Sequence, residues 1–298
     1  MQKSMKSLPT DEKVFHTLNY ILLGFITLII LIPLINIVAQ SLSSPNEVIG
    51  GRVTLLPRGF TLFAYKGLLR SPSVVTGYLN TLFYMVAGTC VNIVMTILCA
   101  YPLSRPDFLG KRVLMFIFTF TMLFGGGMIP NYLLIRNLGL VDKRLVMILP
   151  GAMSVWNMIL ARTFFKNSIP NELFESAELD GASHFRMLLS LVIPLSGPIL
   201  AVLALFYAVG HWNAYFDAML YLKTPALFNI QLILRNALQN INAMLDGTGI
   251  ITNQLEVMGV AEVSKYAMIV ITMIPVLIIY PFVQRFFIRG IMIGSVKG

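Results

Sequence analysis

The chain has 298 residues, of which 57% are hydrophobic and only 12% are charged, and its net charge is +9. Soluble domains average roughly 25% charged residues, and a mean hydropathy of +0.79 leaves too little polar surface to cover a soluble fold. The basic residues are scattered singly, which argues against a nucleic-acid-binding protein. We therefore expect an all-α integral membrane protein.

Six stretches are long and apolar enough to cross a ~30 Å hydrocarbon core, which needs about 20 residues. Because lipid offers the backbone no hydrogen-bond partners, these stretches are expected to be transmembrane helices. The first is expected to be a retained anchor, since its apolar run is longer than that of a cleaved signal peptide. The six stretches are Leu18–Gln40, Ser73–Tyr101, Val113–Ile135, Leu145–Phe165, Leu191–Leu222 and Tyr266–Ile288.

Two features inside these stretches predict how the helices pack. The run Gly125-Gly126-Gly127 lacks the Lys of a phosphate-binding P-loop, and it predicts either a close helix approach or a break in the third span. Polar side chains inside a membrane are expensive. The amides of Asn80, Asn92 and Asn157 are therefore predicted to form hydrogen bonds between helices.

A polar segment lies between the fourth and fifth stretches. It reads Glu175-Ser176-Ala177-Glu178-Leu179-Asp180-Gly181, and Leu191-Val192-Ile193-Pro194 follows ten residues later. Gly181 is predicted to adopt the positive φ that ends one short helix and starts another at an angle. The segment resembles the EAA loop of bacterial ABC importer permeases, with Ser176, Leu191 and Ile193 as departures from its pattern and every spacing kept.

This resemblance implies a six-helix ABC-importer membrane domain over residues 1–298, with a cytosolic coupling helix pair at about 166–194. Twelve of the 22 Lys and Arg residues then fall on the cytoplasmic side, a small bias in the expected direction. A cytosolic coupling segment places both termini in the cytoplasm. The residues implied to couple to an ATPase are Glu175, Ser176, Ala177, Glu178, Asp180, Gly181 and Pro194.

The fifth stretch carries the densest group of polar and aromatic residues in any span. Such side chains suit a sugar, which offers apolar ring faces and many hydroxyl groups. An equally good interpretation is an interfacial belt, where Trp and Tyr are common. Helical spacing predicts one face for His211 and Tyr215 and another for Asn213 and Asp217. The candidate pathway residues are His211, Trp212, Asn213, Tyr215 and Asp217.

Two further segments have patterns of their own. The outer loop, at about 223–262, shows apolar residues at helical spacing between Leu227 and Leu245, which predicts an amphipathic helix. In the family the corresponding loop reaches the solute-binding protein; the alternative is a helix on the membrane surface. The C-terminal tail, 284–298, resembles that of the second permease of maltose-type importers. The implied ATPase-contacting residues, unless the tail is a disordered terminus, are Gln284, Arg285, Lys297 and Gly298.

Together these resemblances imply the permease subunit of an ATP-driven oligosaccharide importer in the bacterial inner membrane. Residues 125–135 resemble a branch that imports complex oligosaccharides, including polyuronides. The implied partners are a homologous permease, two ATPase subunits, an extracytoplasmic solute-binding protein and membrane lipid. No catalytic or metal site and no cofactor are expected in this chain, because ATP and Mg²⁺ would bind the ATPase. A secondary sugar transporter is the alternative, although no repeat relates residues 18–135 to 145–288.

Overall fold

The computed structural model describes residues 10–246 and 254–294, with side chains for residues 11–239 and 258–278. No strand occurs within those residues, as the composition predicts. The helices up to the polar segment are α1 (Thr10–Ser41), α2 (Pro45–Ile49), α3 (Phe63–Arg70), α4 (Pro72–Ser104), α5 (Lys111–Leu123), α6 (Met128–Asn137) and α7 (Val155–Ser168). Beyond it, they are α8 (Asn171–Leu179), α9 (His184–Met187), α10 (Ile193–Leu195), α11 (Gly197–Trp212), α12 (Tyr215–Tyr221), α13 (Ile230–Asp246) and α14 (Gln254–Gly294).

Among the described residues, three single helices are long and apolar enough to cross a membrane, within Asp11–Ser41, Pro72–Ser104 and Met258–Ile278. Two bent pairs bring the number to five if each pair is one span. The axes of α5 and α6 meet at 113°, and those of His184–Leu195 and Gly197–Trp212 meet at 83°. The bend after α5 confirms the predicted break at the glycine run, where Gly127 has φ +84°. The alternative prediction, close helix approach at that run, receives no support, since a Cβ on Gly125 or Gly127 would meet nothing within 4 Å.

The predicted fourth span, Leu145–Phe165, is not a single helix. A short 3₁₀ turn at Arg144–Met147 is followed by irregular backbone, and α7 begins only at Val155 and runs for 14 residues. Pro150 and Gly151 interrupt the stretch, because proline lacks a backbone donor and glycine disfavours a helix. The hydropathy of this stretch predicted a full transmembrane helix, but only its second half is α-helical.

The chain divides into two compact units. The first comprises residues up to 70 together with 236–271. Its small core is formed by Ala64, Val263 and Ala267, against which Val48 and Leu68 pack. Helix α1 belongs to this unit, and its most apolar window is fully exposed, as expected of a helix that faces lipid.

The second unit comprises residues 71–235 and 272 onwards, and within it α4 contacts both α7 and α11. Near the N-terminal end of α4, Asn80 Nδ2 donates to the carbonyls of Ala226 and Phe228 at 2.8 and 3.0 Å. Tyr84 OH donates to the carbonyl of Leu227 at 2.9 Å. These bonds fasten the start of the predicted outer loop to α4.

The amphipathic helix predicted in that loop is confirmed as α13. The segment between α12 and α13 is held by the side chain of Asp142, which hydrogen-bonds to Lys223 and Thr224. Its Oδ1 accepts from the backbone N–H groups of Lys223 and Thr224, both at 2.8 Å, and its Oδ2 accepts from the Thr224 hydroxyl at 2.7 Å. These bonds hold the pKa of the Asp142 carboxyl below its usual value; the bond from the Thr224 hydroxyl contributes most, and the two backbone amides contribute less.

Candidate functional site

The polar segment folds as a helix, a glycine turn and a second helix. Helix α8 ends at Leu179, and Gly181 follows with φ +73°. The N–H of Gly181 donates to the carbonyl of Glu178 at 3.0 Å, and that of Ala182 donates to the carbonyl of Ala177 at 2.9 Å. These two bonds form a Schellman motif, which needs a left-handed residue at this position. The positive φ predicted for Gly181 is therefore confirmed.

The second short helix leads directly into the fifth span. Ser183 caps α9, since its Oγ accepts from the N–H of Arg186 at 3.3 Å. A π-helical turn at Leu188–Val192 precedes Pro194. A proline ring clashes with the carbonyl four residues earlier, and a wider turn relieves that clash. Pro194 thus lies at the 83° elbow between the segment and α11.

Arg105, the residue after α4, attaches the segment to the rest of its unit. Its Nη2 donates to Oδ1 of Asn171 at 3.0 Å, and its guanidinium carbon lies 3.4 Å from the centre of the Phe174 ring. Phe174 and Arg105 are both buried, at 5% and 8% exposure. A stacked guanidinium over an aromatic ring is attractive, and more so when desolvated. Burial lowers the pKa of the Arg105 guanidinium from its usual value.

Part of the segment is open to solvent. Glu175, Ser176, Glu178 and Asp180 are exposed. Large apolar side chains lie among them, and Leu179 is 90% and Phe185 65% exposed. A surface that combines exposed apolar side chains with carboxylates is typical of a protein-binding face rather than of a lipid-facing one.

A second candidate site lies beside the middle of α4. Nδ2 of Asn92 donates to the carbonyl of Gly151, and its Oδ1 lies 2.6 Å from Nε2 of His211. Because the amide nitrogen is used by Gly151, the oxygen must accept, and Nε2 is the protonated ring nitrogen of His211. A Cβ on Gly88 would clash with that nitrogen. The hydrogen bond between helices predicted for Asn92 is confirmed by its contact with His211 on α11. The amide nitrogen of Asn80 bonds instead to backbone carbonyls before α13, and the backbone N–H of Asn157 donates to Ser154 Oγ.

Tyr207 links the same three segments one turn earlier on α11. Its hydroxyl lies 2.6 Å from Oγ1 of Thr96 and accepts from the N–H of Ser154 at 3.1 Å. A cavity of about 730 Å³ adjoins this network. Its polar lining groups are Asn92, Asn131, Tyr207, His211, Asp217 and Tyr221, among apolar walls from α6, α11 and residues 146–151.

The irregular backbone at Gly151 is held beside the middle of α4, and we therefore expect it to lie at membrane depth. Asn92, which holds it, comes 20 residues after the start of α4 and 12 before its end, or about 30 Å and about 18 Å along the helix. Non-helical backbone is tolerated within the hydrocarbon only where protein buries it or where it lines a water-filled space. The cavity adjoins Gly151 and has polar lining groups, and this makes it a candidate segment of a transport pathway.

The structure separates the five candidate pathway residues. His211 and Asp217 line the cavity, whereas Trp212 is 2% exposed and its indole N–H donates to the carbonyl of Thr272 at 3.1 Å. Trp212 and Asn213 both line a different hollow of about 660 Å³, and Tyr215 is 44% exposed and lines neither. The predicted common faces are wrong, because α11 ends at Trp212 and a new helix starts at Tyr215.

The candidate tail residues are only partly visible. Gln284 and Arg285 lie within α14, which continues to Gly294, and their side chains are outside the described part of the chain. Lys297 and Gly298 lie beyond its last described residue. The tail predicted to contact an ATPase therefore begins as a helix.

Comparison with known proteins gives this geometry a context. The model of a family described as "binding-protein-dependent transport system inner membrane component" matches residues 73–293. The chain belongs to this family. It is therefore a multi-pass inner-membrane permease component and not an enzyme, and this membership gives no support to the secondary-transporter alternative.

Similar family members transport complex glycans. The chain is 38% identical over 292 residues to the polygalacturonan/rhamnogalacturonan transport system permease protein YtcP of Bacillus subtilis, covering 96% of this chain and 99% of the relative. It is also 38% identical to LplC of the same organism, covering 96% of each. A solved bacterial ABC transporter involved in the import of alginate, an acidic polysaccharide, matches with a TM-score of 0.83 at 36% identity, covering 94% of this chain and 99% of the other.

Sequence reasoning missed several residues of both sites in this permease. Arg105 was only one positive charge among many, and the Tyr207 hydroxyl lay within an apolar run. Their partners are 66 and 111 residues away in the chain, so no local pattern could have indicated them. Only the polar tip of Tyr207 inside a span was a signal.

Proposed function

We propose that this chain is one half of the transmembrane pathway of an ATP-driven importer of complex oligosaccharides, with both termini in the cytoplasm. The observation that carries the proposal is the nearly full-length similarity to glycan permeases. The cavity with polar lining groups beside the middle of α4 is consistent with it. A homologous permease forms the other half, a solute-binding protein delivers the glycan, and two ATPase subunits bind ATP and Mg²⁺.

The open face of α8 and α9 is the ATPase-docking surface in this proposal. Glu175, Glu178 and Asp180 provide its charge, and Leu179 and Phe185 provide its apolar contacts. Gly181 sets the angle between the two helices, and Ser176 and Ala177 complete the first. The tail residues from Gln284 and Arg285 to Lys297 and Gly298 form a second ATPase contact.

Movement of the docking surface reaches the pathway through the elbow at Pro194. Helix α11 starts directly after the elbow and carries Tyr207 and His211 at its far end. A tilt of α8 and α9 therefore acts on the bonds that hold the irregular backbone at residues 148–154. A rigid-body movement of this kind closes one side of the pathway as the other opens.

The sugar is proposed to contact the cavity wall formed by His211 and Asp217. A carboxylate and an imidazole are good partners for sugar hydroxyls, and Tyr221 adds an aromatic ring. Because Tyr215 lines neither cavity, it provides a matched control two residues from Asp217. The alternative route is the hollow lined by Asn213 and Trp156, where an indole that is 56% exposed could stack on a sugar ring.

Uptake by the reconstituted complex with two glycan lengths tests this proposal. Asp217→Asn should lower uptake, and lower it more for the longer glycan, which must satisfy more contacts at once. Tyr215→Ala should leave uptake unchanged when the values are normalised to assembled complex. If Asn213→Ala lowers uptake and Asp217→Asn does not, the sugar passes the other hollow and the assignment of the cavity is wrong.

A further inference from the structure

Arg105 is buried with only part of its hydrogen-bonding capacity used. Nη2 is bonded to Asn171, but Nε and Nη1 are both buried and have no hydrogen-bond partner. The hydroxyl of Tyr101, one turn earlier on α4, is also buried without a partner. A buried donor without a partner is costly, and more so on a charged group. This arrangement is therefore energetically unfavourable for the Arg105 guanidinium.

Carboxylates that could relieve this strain line the same small cavity. Arg105, Tyr101, Asp107, Glu175 and Glu178 all line a space of about 260 Å³ between the end of α4 and helix α8. No ion pair joins Arg105 to any of these carboxylates in the described part of the chain. Their negative charge makes an added anion an unfavourable occupant. The natural partner of the guanidinium is thus a carboxylate of this chain.

Three residues of α8 form one stripe towards Arg105. Asn171, Phe174 and Glu178 are spaced i, i+3 and i+7, which places them on the same side of a helix. Asn171 and Phe174 contact Arg105 in this structure. Glu178 is the next residue along the stripe, about 6 Å beyond Phe174 along the helix axis. A movement of α8 along or about its axis would bring its carboxylate to the guanidinium.

We propose that Arg105 is a positioning residue for coupling, which exchanges Asn171 for Glu178 when the ATPase moves α8. In the arrangement described here, Arg105 stacks on Phe174 and leaves two donors unpaired. In the moved arrangement, Nε and Nη1 donate to the Glu178 carboxylate. The ion pair stabilises the moved position of α8 relative to this one. This inference rests on the proposed coupling of α8 to an ATPase.

A double-mutant cycle in the reconstituted complex tests the exchange. Glu178→Gln should lower uptake and stimulated ATPase activity about tenfold, since a hydrogen bond to a charged group is lost in one state only. Arg105→Gln should lower them at least as much. Because both substitutions remove the same pair, the double variant should be no worse than Arg105→Gln alone.

Asp107→Asn is the matched control. Its carboxylate lines the same cavity, but it lies two residues from Arg105 and moves with it, so this substitution should leave coupling unchanged. Because Glu178 also belongs to the proposed docking surface, uptake and ATPase activity are normalised to the amount of co-purified ATPase, so that a loss of docking is not counted as a loss of movement. Arg105→Lys should restore only part of the activity, since an ammonium group lacks the forked donors of a guanidinium.

The structure of the complex trapped with ATP provides the direct measurement. It should place a Glu178 carboxylate oxygen within about 3 Å of the Arg105 guanidinium. Effects that multiply in the double variant, or a trapped complex in which Arg105 still contacts Asn171, would overturn the exchange. A wild-type complex that does not couple uptake to ATP would instead overturn the proposed function.

Discussion

Replacement of Gly181 by Val is the perturbation whose cost follows most directly from the structure. Gly181 has φ +73°, a conformation that costs an L-residue about 1–2 kcal/mol and a β-branched residue more. A Cβ there would meet nothing within 4 Å, so the cost lies in the backbone and not in a clash. A change of about 2 kcal/mol lowers the population of the native turn about thirtyfold relative to alternative turns.

A graded series separates this backbone effect from other causes. Gly181→Asn should be the mildest change, because Asn tolerates the left-handed region, and Gly181→Ala should lie between Asn and Val. Gly67→Ala is the matched control. Its Cβ would also meet nothing within 4 Å, and Gly67 lies within α3 without a positive φ, so it should be neutral or slightly stabilising.

The assay measures glycan uptake and ATP hydrolysis together in the reconstituted complex. Gly181→Val should insert into the membrane normally but hydrolyse more ATP for each glycan imported, because the docking helices no longer hold their angle. Gly181→Asn should keep the ratio of ATP hydrolysed to glycan imported close to the wild-type value. If Val and wild type give equal ratios, or if Asn is as damaging as Val, the left-handed turn does not determine coupling.

Three further predictions concern separate parts of the chain. Glu175→Lys should weaken co-purification of the ATPase in a salt-sensitive way; unchanged recovery at low salt would mean that this charge is merely solvated. Gly88→Ala should displace His211 and destabilise the chain by about 1–3 kcal/mol in thermal unfolding, whereas Gly210→Ala, where a Cβ meets nothing within 4 Å, should not. Asp142→Ala should speed hydrogen exchange of the two amides that donate to its carboxylate. In the wild type the pKa of Asp142 is lowered in the folded state, so the stabilisation from these bonds is present above the ordinary Asp value of about 3.9 and is lost as the pH falls through the lowered pKa. Amide protection that changes neither with the substitution nor with pH would refute this role.

The features predicted correctly from the sequence have local causes. A glycine after a polar helix predicted the positive φ at Gly181. Three successive glycines predicted either a break or a close helix approach, and the break after α5 is the one that forms. The apolar spacing predicted α13. In each case neighbouring residues determine the backbone, so that no knowledge of distant contacts was needed.

The errors arise where distant contacts decide. Hydropathy counted Pro150 and Gly151 within a continuous span, because it does not register that Asn92 can hold irregular backbone at membrane depth. The break at Asn213 has no strong helix-breaking residue, so the shared face of His211 and Tyr215 was predicted on a helix that ends between them. Arg105 could not be distinguished from the other basic residues until Phe174 and Asn171 were placed beside it.

The central claim is that this chain moves glycans only as part of an ATP-driven complex. The most direct test measures glycan uptake into proteoliposomes that contain this permease, its partner permease and an active or an inactivated ATPase. Glycan-loaded binding protein is outside and ATP is inside. We predict uptake that requires ATP hydrolysis and stops when the ATPase is inactivated. Uptake by this chain alone, driven by an ion gradient without the ATPase, would contradict the account.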